Sequence, residues 1–164
     1  MTVRRLRPDE WRAYRSIRLQ ALNDAPDAFG ATFAGEVLRS DEEWQRRAAR
    51  SDGAVFVADS PDGLVGLAGG GPAPGMSNVA GLFSMWIAPG ARRQGLGSQL
   101  IEAVRDWAIE AGYATLGLGV TTTNAAAIAL YRSFGFTDTG DRFPLRDGTD
   151  LTIQIMTASL KADS

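Results

Sequence analysis

The sequence predicts one α/β domain, residues 1–164, built on a mixed sheet with helices packed against it. Two observations carry this. Short apolar runs of strand length alternate with longer segments whose apolar residues recur every three or four positions. Their order, β-α-α-β-β-β-α-β-α-β-β, combines hairpin-length connections with strand–helix–strand crossovers, so antiparallel and parallel pairs are both expected. No internal repeat or low-complexity segment interrupts it.

The elements follow in order. Val3 to Leu6 form a short strand. Pro8-Asp9-Glu10 starts a helix, with acids where the macrodipole favours them. Trp11, Tyr14, Ile17, Ala21 and Leu22 make its apolar stripe, and Asn23-Asp24-Ala25-Pro26-Asp27 breaks it. Residues 28–39 carry no clear period. Ser40-Asp41-Glu42-Glu43 has the form of a capping box, Ser40 capping and Glu43 reaching back, for a helix to about Arg50. Ala54–Ala58 and Leu64–Ala68 are strands around a turn at Ser60-Pro61-Asp62-Gly63. Gly69 to Gly75 reads as a loop. Val79 to Ile87 is a long apolar strand, as expected of a central one. Gly97 to Ala111 is the clearest helix, with Leu100, Ile101, Val104, Trp107, Ala108 and Ala111 in one stripe and Gly112 as its stop. Thr115 to Val120 is a strand. Asn124 caps a helix reaching Ser133, which Gly135 ends. A strand starts at Phe136-Thr137, Asp141 to Asp150 is a polar loop, and Leu151 to Met156 is the last strand.

Composition excludes several chemistries. The chain has no cysteine and no histidine. Disulfides, thiolate nucleophiles, imidazole bases and most zinc or non-haem iron sites are therefore absent, and no resident metal is expected. The net charge is −2, without the basic excess of nucleic-acid binders. The only lysine, Lys161, lies near the chain end and is a poor candidate for Schiff-base or P-loop chemistry. The basic start, Met1 to Pro8, is not followed by a signal-peptide apolar stretch. The longest mostly apolar run, Val79 to Ala88, is about half a membrane span, so no membrane partner and a cytoplasmic location are expected.

The segment with chemical content is Pro89-Gly90-Ala91-Arg92-Arg93-Gln94-Gly95-Leu96-Gly97-Ser98, which joins the long strand to the clearest helix. A helix start leaves main-chain N–H groups unpaired and partly positive. Gly95 and Gly97 let an anion approach them, and Arg92 and Arg93 add fork-shaped donors. This describes a phosphate or pyrophosphate site. The alternative is a glycine-rich turn with two solvated arginines. A P-loop is excluded because no Gly-Lys-Ser/Thr exists. A dinucleotide fingerprint, and with it a nicotinamide oxidoreductase, fails because Leu100 stands where the third glycine belongs. A second constellation is Asn124 with Tyr131. Seven residues at about 100° each are close to two turns, so the pair shares one helix face about 10 Å apart along the axis. Ala125, Ala126 and Ala127 keep that helix slim enough for something to lie against it. Taken singly, Asn124 reads as an N-cap and Tyr131 as a half-buried core residue.

Together these segments resemble the GNAT superfamily of acyl-CoA-dependent acetyltransferases. Its Arg/Gln-x-x-Gly-x-Gly/Ala motif after the fourth strand stands here as Arg92-Arg93-Gln94-Gly95-Leu96-Gly97. Its later asparagine, tyrosine and Gly-Phe stand as Asn124, Tyr131 and Gly135-Phe136. The element order matches from Val3 to Met156. The stretch from Leu19 to Gly30 also looks like a bacterial subgroup of unassigned members. The resemblance implies a mostly antiparallel sheet of about six to seven strands, split between the fourth and fifth and flanked by about four helices. It implies acetyl-CoA as co-substrate, its pantetheine pairing with Met85, Trp86 and Ile87. The pyrophosphate would sit on Arg92, Arg93, Gln94, Gly95, Leu96, Gly97 and Ser98, with Asn124 bonding the pantetheine and Tyr131 near the sulfur. A homodimer is an expectation from resemblance alone.

The implied reaction is attack of an amine on the acetyl carbonyl. Without cysteine there is no acetyl-enzyme relay on a thiol, which favours a ternary complex. An alkylammonium of pKa about 10.4 must be neutralised, which at pH 7 is worth roughly 4–5 kcal/mol. The oxyanion needs a donor, for which a fourth-strand N–H is suited. The leaving thiolate needs a proton, and Tyr131 is assigned as its general acid. The fourth strand carries no acid to act as base. Asp24, Asp27 and Glu36 lie where relatives shape the acceptor site, and such acids would steer a cationic acceptor. The acceptor is then a small-molecule amine or a protein N-terminus. The loop 141–150 is a candidate cover for this cleft. The missing acid supports an alternative from another class, a non-catalytic acyl-CoA-binding module.

Overall fold

The computed structural model describes residues 1–160; Lys161 lies outside the described residues. The sheet has seven strands in the order β1-β2-β3-β4-β5-β7-β6. They are β1 (Thr2–Arg5), β2 (Ala54–Ser60), β3 (Gly63–Pro72), β4 (Val79–Ile87), β5 (Thr115–Thr121), β6 (Thr137–Pro144) and β7 (Thr152–Ser159). All neighbours pair antiparallel except β4 and β5, which are parallel. The helices are α1 (Trp11–Asp24), α2 (Phe33–Glu36), α3 (Asp41–Ala48), α4 (Leu96–Glu110) and α5 (Ala125–Ser133). The predicted order holds, with the single-turn α2 added inside the segment that had no period.

Each face of the sheet carries its own apolar cluster. On one side α1 and α3 bury Trp11, Tyr14, Ile17, Leu22 and Trp44 against Val57, Leu67 and Trp86. On the other, Leu100, Ile101, Val104 and Ala108 of α4 meet Ala68, Ala80, Leu82 and Leu116, and the cluster continues to Tyr131, Phe136 and Met156. The stripe read from α4 is thus its buried face, and Gly112 ends the helix with φ 89.

Three expectations change. The glycine run is strand, not loop, as far as Pro72. Gly69, Gly70 and Gly71 pair with Phe83, Leu82 and Gly81 of β4. Glycine is needed here for close approach: a Cβ on Gly70 would lie 2.7 Å from the Trp107 ring. Pro72 is tolerated because β2 ends its pairing at Gly70, leaving that side of β3 without a partner. Second, β6 runs to Pro144, so only the latter part of 141–150 is loop. All of β6 is exposed, and its charged, polar composition is that of an edge strand protected against further pairing. Third, the capping box is half formed. The Ser40 hydroxyl accepts from the Glu43 N–H, while the Glu43 carboxylate accepts from Arg39 at 3.0 Å instead of reaching back.

The feature that positions the site is in β4. Phe83 pairs with Gly69 and Trp86 with Leu67, so β4 carries an extra residue, Ser84–Met85, opposite Ala68. This bulge reverses the facing of every residue beyond it. Phe83 and Ser84 both face the α1–α3 side, Met85 and Ile87 pack on the α4 side, and Trp86 returns to the α1–α3 side. Ser84 takes φ 60, a left-handed conformation unusual outside glycine. β4 and β5 pair only at Val79–Thr115, Ala80–Leu116 and Gly81–Gly117, then part. This is the expected split.

Replacing Gly70 with alanine should drive a methyl into Trp107 and destabilise the fold by about 1–3 kcal/mol, read as a lower urea midpoint at unchanged m.

Candidate active site

Beyond the split lies a cavity of about 680 Å³ between the end of β4, the start of α4 and α5. Met85, Trp86, Ile87, Arg92, Arg93, Gly95, Leu96, Gly97, Ser98 and Asn124 all line it. Gln94 and Tyr131 do not. The alanines of α5 are part of the wall through Ala126 and Ala127, and Ala25, Ala28 and Leu130 are lining residues that the sequence reading did not single out. Leu130 follows the helical spacing from Ala126 and Ala127, so the α5 face itself was the available signal.

The start of α4 is left open by its own sequence. Gly95 occupies the N-cap with φ 80, and no side chain caps the helix. The first-turn N–H groups therefore lack an intrahelical acceptor, at a helix start whose Leu96, Gly97 and Ser98 line the cavity. Arg93, at φ 64, is exposed and has no ion pair among the described residues. Arg92 is differently placed. Its Nε donates to the Ile87 carbonyl at 2.9 Å, and its guanidinium bonds Asp24 at 3.0 Å. Asp24 also accepts from the Trp86 indole at 2.9 Å. Asp24 is thus a clamp joining the end of α1 to β4 and the turn, and its charge is matched. Asn124 caps α5, its Oδ1 accepting from the Ala127 N–H at 3.3 Å. Its amide NH₂ has no partner among the described residues.

Tyr131 is 8% exposed and packs edge-on against Phe136 with ring centroids 5.8 Å apart. Burial pushes its pKa up to about 12. The hydroxyl has no hydrogen-bond partner among the described residues. It is also not sealed off, since the sealed unpartnered side-chain atoms there are Arg15 Nε and Trp44 Nε1. The phenol is therefore a proton donor that stays protonated throughout the neutral range.

Glu36 corrects an expectation. It does not face an acceptor cleft; it is 2% exposed and sits under arginines. Arg18 bonds it at 3.1 Å, Arg47 at 3.0 Å, and Arg39 also hydrogen-bonds it. Burial alone would raise its carboxyl pKa, but the Arg39 hydrogen bond and the charges of Arg47 and Arg18 outweigh that and hold it below the ordinary range. It has no basicity to offer at neutral pH. Asp27 is exposed at a smaller cleft shared with Asp24, Thr121 and Asn124, and its carbonyl accepts from the Thr121 hydroxyl at 2.6 Å. Arg18 is the residue missed. It is buried, paired with Glu36, and donates to the Ser84 hydroxyl at the bulge. An arginine beside Ile17, one turn after Tyr14, inside an apolar stripe was a legible signal. Among the described residues no group of acids, histidines or cysteines forms a metal site, and no helix is long and apolar enough to cross a membrane.

A split sheet with an uncapped helix start at its mouth defines a class of fold that can take an anionic ligand beside a free strand edge. The model of the Acetyltransferase (GNAT) family matches residues 7–136, and the chain belongs to that family. A [ribosomal protein bS18]-alanine N-acetyltransferase of Escherichia coli K12 is 45% identical over 74 residues, 43% of this chain and 50% of that protein. The chain thus spans about half the length of that curated relative. A ribosomal-protein-alanine N-acetyltransferase from Brucella melitensis superposes with TM-score 0.74 at 26% identity, covering 97% of this chain and 99% of that one. A Salmonella typhimurium structure described with its cofactor acetyl-CoA has TM-score 0.77 at 22% identity, covering 100% and 96%, a likeness of fold.

Glu36→Gln should leave the Arg18 guanidinium buried without a counter-charge and cost about 3 kcal/mol or more, measured by chemical denaturation.

Proposed function

We propose that the chain transfers an acetyl group from acetyl-CoA to a primary amine by direct attack in a ternary complex. The observation that carries this is the uncapped start of α4, opening on the same cavity as the free edge of β4. Partly positive N–H groups and the unpaired Arg93 suit a diphosphate. The edge of β4 that β5 leaves beyond Gly81 offers main-chain partners to an extended amide chain. The Asn124 NH₂ is available to the same chain. These donors fit coenzyme A, and when bound it would supply an activated acyl carbon.

The residues then divide the work. Main-chain N–H groups of β4 near the bulge are suited to stabilise negative charge on the carbonyl oxygen. Tyr131 holds its proton up to about pH 12 and is the donor to the departing sulfur. β4 bears no acid, and the Glu36 carboxylate is tied up by arginines, so amine deprotonation falls to solvent or to Asp27 through water. A small amine and a protein N-terminus both meet these demands; the names of the relatives favour an N-terminal alanine for those proteins. The alternative of an acyl-CoA-binding module without catalysis rests on the missing acid. Its opponent is the unpartnered phenol of Tyr131, on the helix whose Ala126, Ala127 and Leu130 line the cavity.

Ser98→Glu puts a carboxylate where the diphosphate would lie while suiting the helix dipole, so folding should be kept. Calorimetry should show acetyl-CoA affinity falling by about 30-fold or more, and an unchanged affinity would remove the diphosphate from this turn. Tyr131→Phe should lower kcat by roughly 100-fold with the acetyl-CoA Kd unchanged. In the wild type the acid is lost only as pH rises toward about 12, so kcat should show no alkaline fall from this group below about pH 10. Thioester cleavage with an amine panel reads both, and no cleavage with any amine would leave the binding-module reading.

A further inference from the structure

On the other face of β4 lies a second cavity, of about 500 Å³, between α1, α3, β3 and β4. Its walls carry Arg46, Arg47 and Arg50, and no acid lines it. Arg47 is matched by Glu36 at 3.0 Å, and Arg50 by Asp52 at 2.8 Å on the exposed rim. Arg46 has no ion pair or hydrogen bond among the described residues. Gly69 and Gly70 lie in its floor with Leu67 and Ala68, and Gly71 follows beside them. A Cβ on Gly71 would lie 2.9 Å from the Arg50 guanidinium, so glycine is what lets that group settle there. At Gly69 a Cβ would meet only ordinary contacts, the nearest at 3.7 Å, so its absence leaves open space. Phe83, by ordinary strand alternation, and Ser84, turned to this side by the bulge, line the cavity from β4. Met85, next in the chain, lines the cavity on the other side. Ser84 and Met85 thus line cavities on opposite faces of β4, just beyond Gly81, where β4 has parted from β5.

We propose that this cavity holds the anionic end of the acceptor, which is a small primary amine bearing a carboxylate or phosphonate. The inference deepens the acetyl-transfer reading and rests on it. Guanidinium groups bind such anions with paired N–H donors, and the free Arg46 supplies an unmatched charge. The volume is that of a small-molecule site. An anion at Arg46 and Arg50 leaves the amine end directed past Ser84 to the split. Of the three acids expected to form an acidic cleft for a cationic acceptor, Asp24 and Glu36 are already paired with arginines, which leaves Asp27 alone.

The test is thiol release from acetyl-CoA with L-amino acids, their carboxamides, aminoalkylphosphonates and peptides with an acidic second residue. Carboxylate or phosphonate amines should exceed their neutral partners by about tenfold or more in kcat/KM, because a site built on charged donors rejects an analogue that cannot use them. Which anion wins identifies the source. Arg46→Gln and Arg50→Gln, both exposed positions, should bring the ratio toward one, with the acetyl-CoA Kd within about twofold. Gly69→Val, which fills the floor, should raise KM for the anionic amine. Equal use of acid and carboxamide, a preference that survives both arginine variants, or turnover of the peptides alone would overturn the proposal. Saturation-transfer NMR with the N-acetylated acids and amides separates the two readings. Arginine-dependent binding of the acids without any turnover would sink acetyl transfer and keep the anion site. Turnover without charge preference would do the reverse.

Discussion

A buried guanidinium holds the bend on which the site depends. Arg18 reaches from α1 to the Ser84 hydroxyl, where β4 carries its extra residue in a left-handed conformation. That residue turns Ser84 toward α1 and Met85 toward α4, and it lies just beyond the point where β4 leaves β5. A cation in this position must be neutralised, because an unpaired buried charge costs several kcal/mol. Glu36 does so, and its single carboxylate is shared with Arg39 and Arg47 as well. Glu36 is therefore structural, and the absence of a base on β4 is not made good by it.

The bend also divides the molecule electrostatically. On the α4 side, positive potential comes from main-chain N–H groups and one free arginine around a cavity. On the α3 side, it comes from side chains over a floor that includes Gly69 and Gly70. Asp24 belongs to neither surface. Tied to Trp86 and Arg92, it fastens the end of α1 to β4 and to the turn before α4. A single carboxylate thus sets the spacing between the two elements that bound the proposed coenzyme A cavity.

Tyr131 shows how stability and function share a side chain. Its ring is part of the core that α4 and β5 enclose, and that burial is what raises its pKa. Since folding raises this pKa, the phenol's contribution to stability is complete below about pH 10 and lost as pH climbs through about 12. The same environment keeps it a donor under any neutral condition.

Element order, the α4 stripe, the glycine turn and the Asn124–Tyr131 helix were legible in the sequence, because each depends on residues within a few turns of one another. The period of apolar residues determines which face is buried, and Gly95 or Asn124 determines where a helix begins, whatever surrounds them. What sequence did not reveal depends on distant partners. Gly69 to Gly71 read as loop because nothing local shows that Trp107 and Arg50 need the space, and the end of β6, Asp141 to Pro144, read as loop because an exposed edge strand has no buried face to impose a period. Asp24 and Glu36 read as free acids, since the arginines that match them come from other elements or from the far side of a turn. Only tertiary structure decided which charges remain unpaired, because pairing is a property of juxtaposition and composition alone counts both partners as charged.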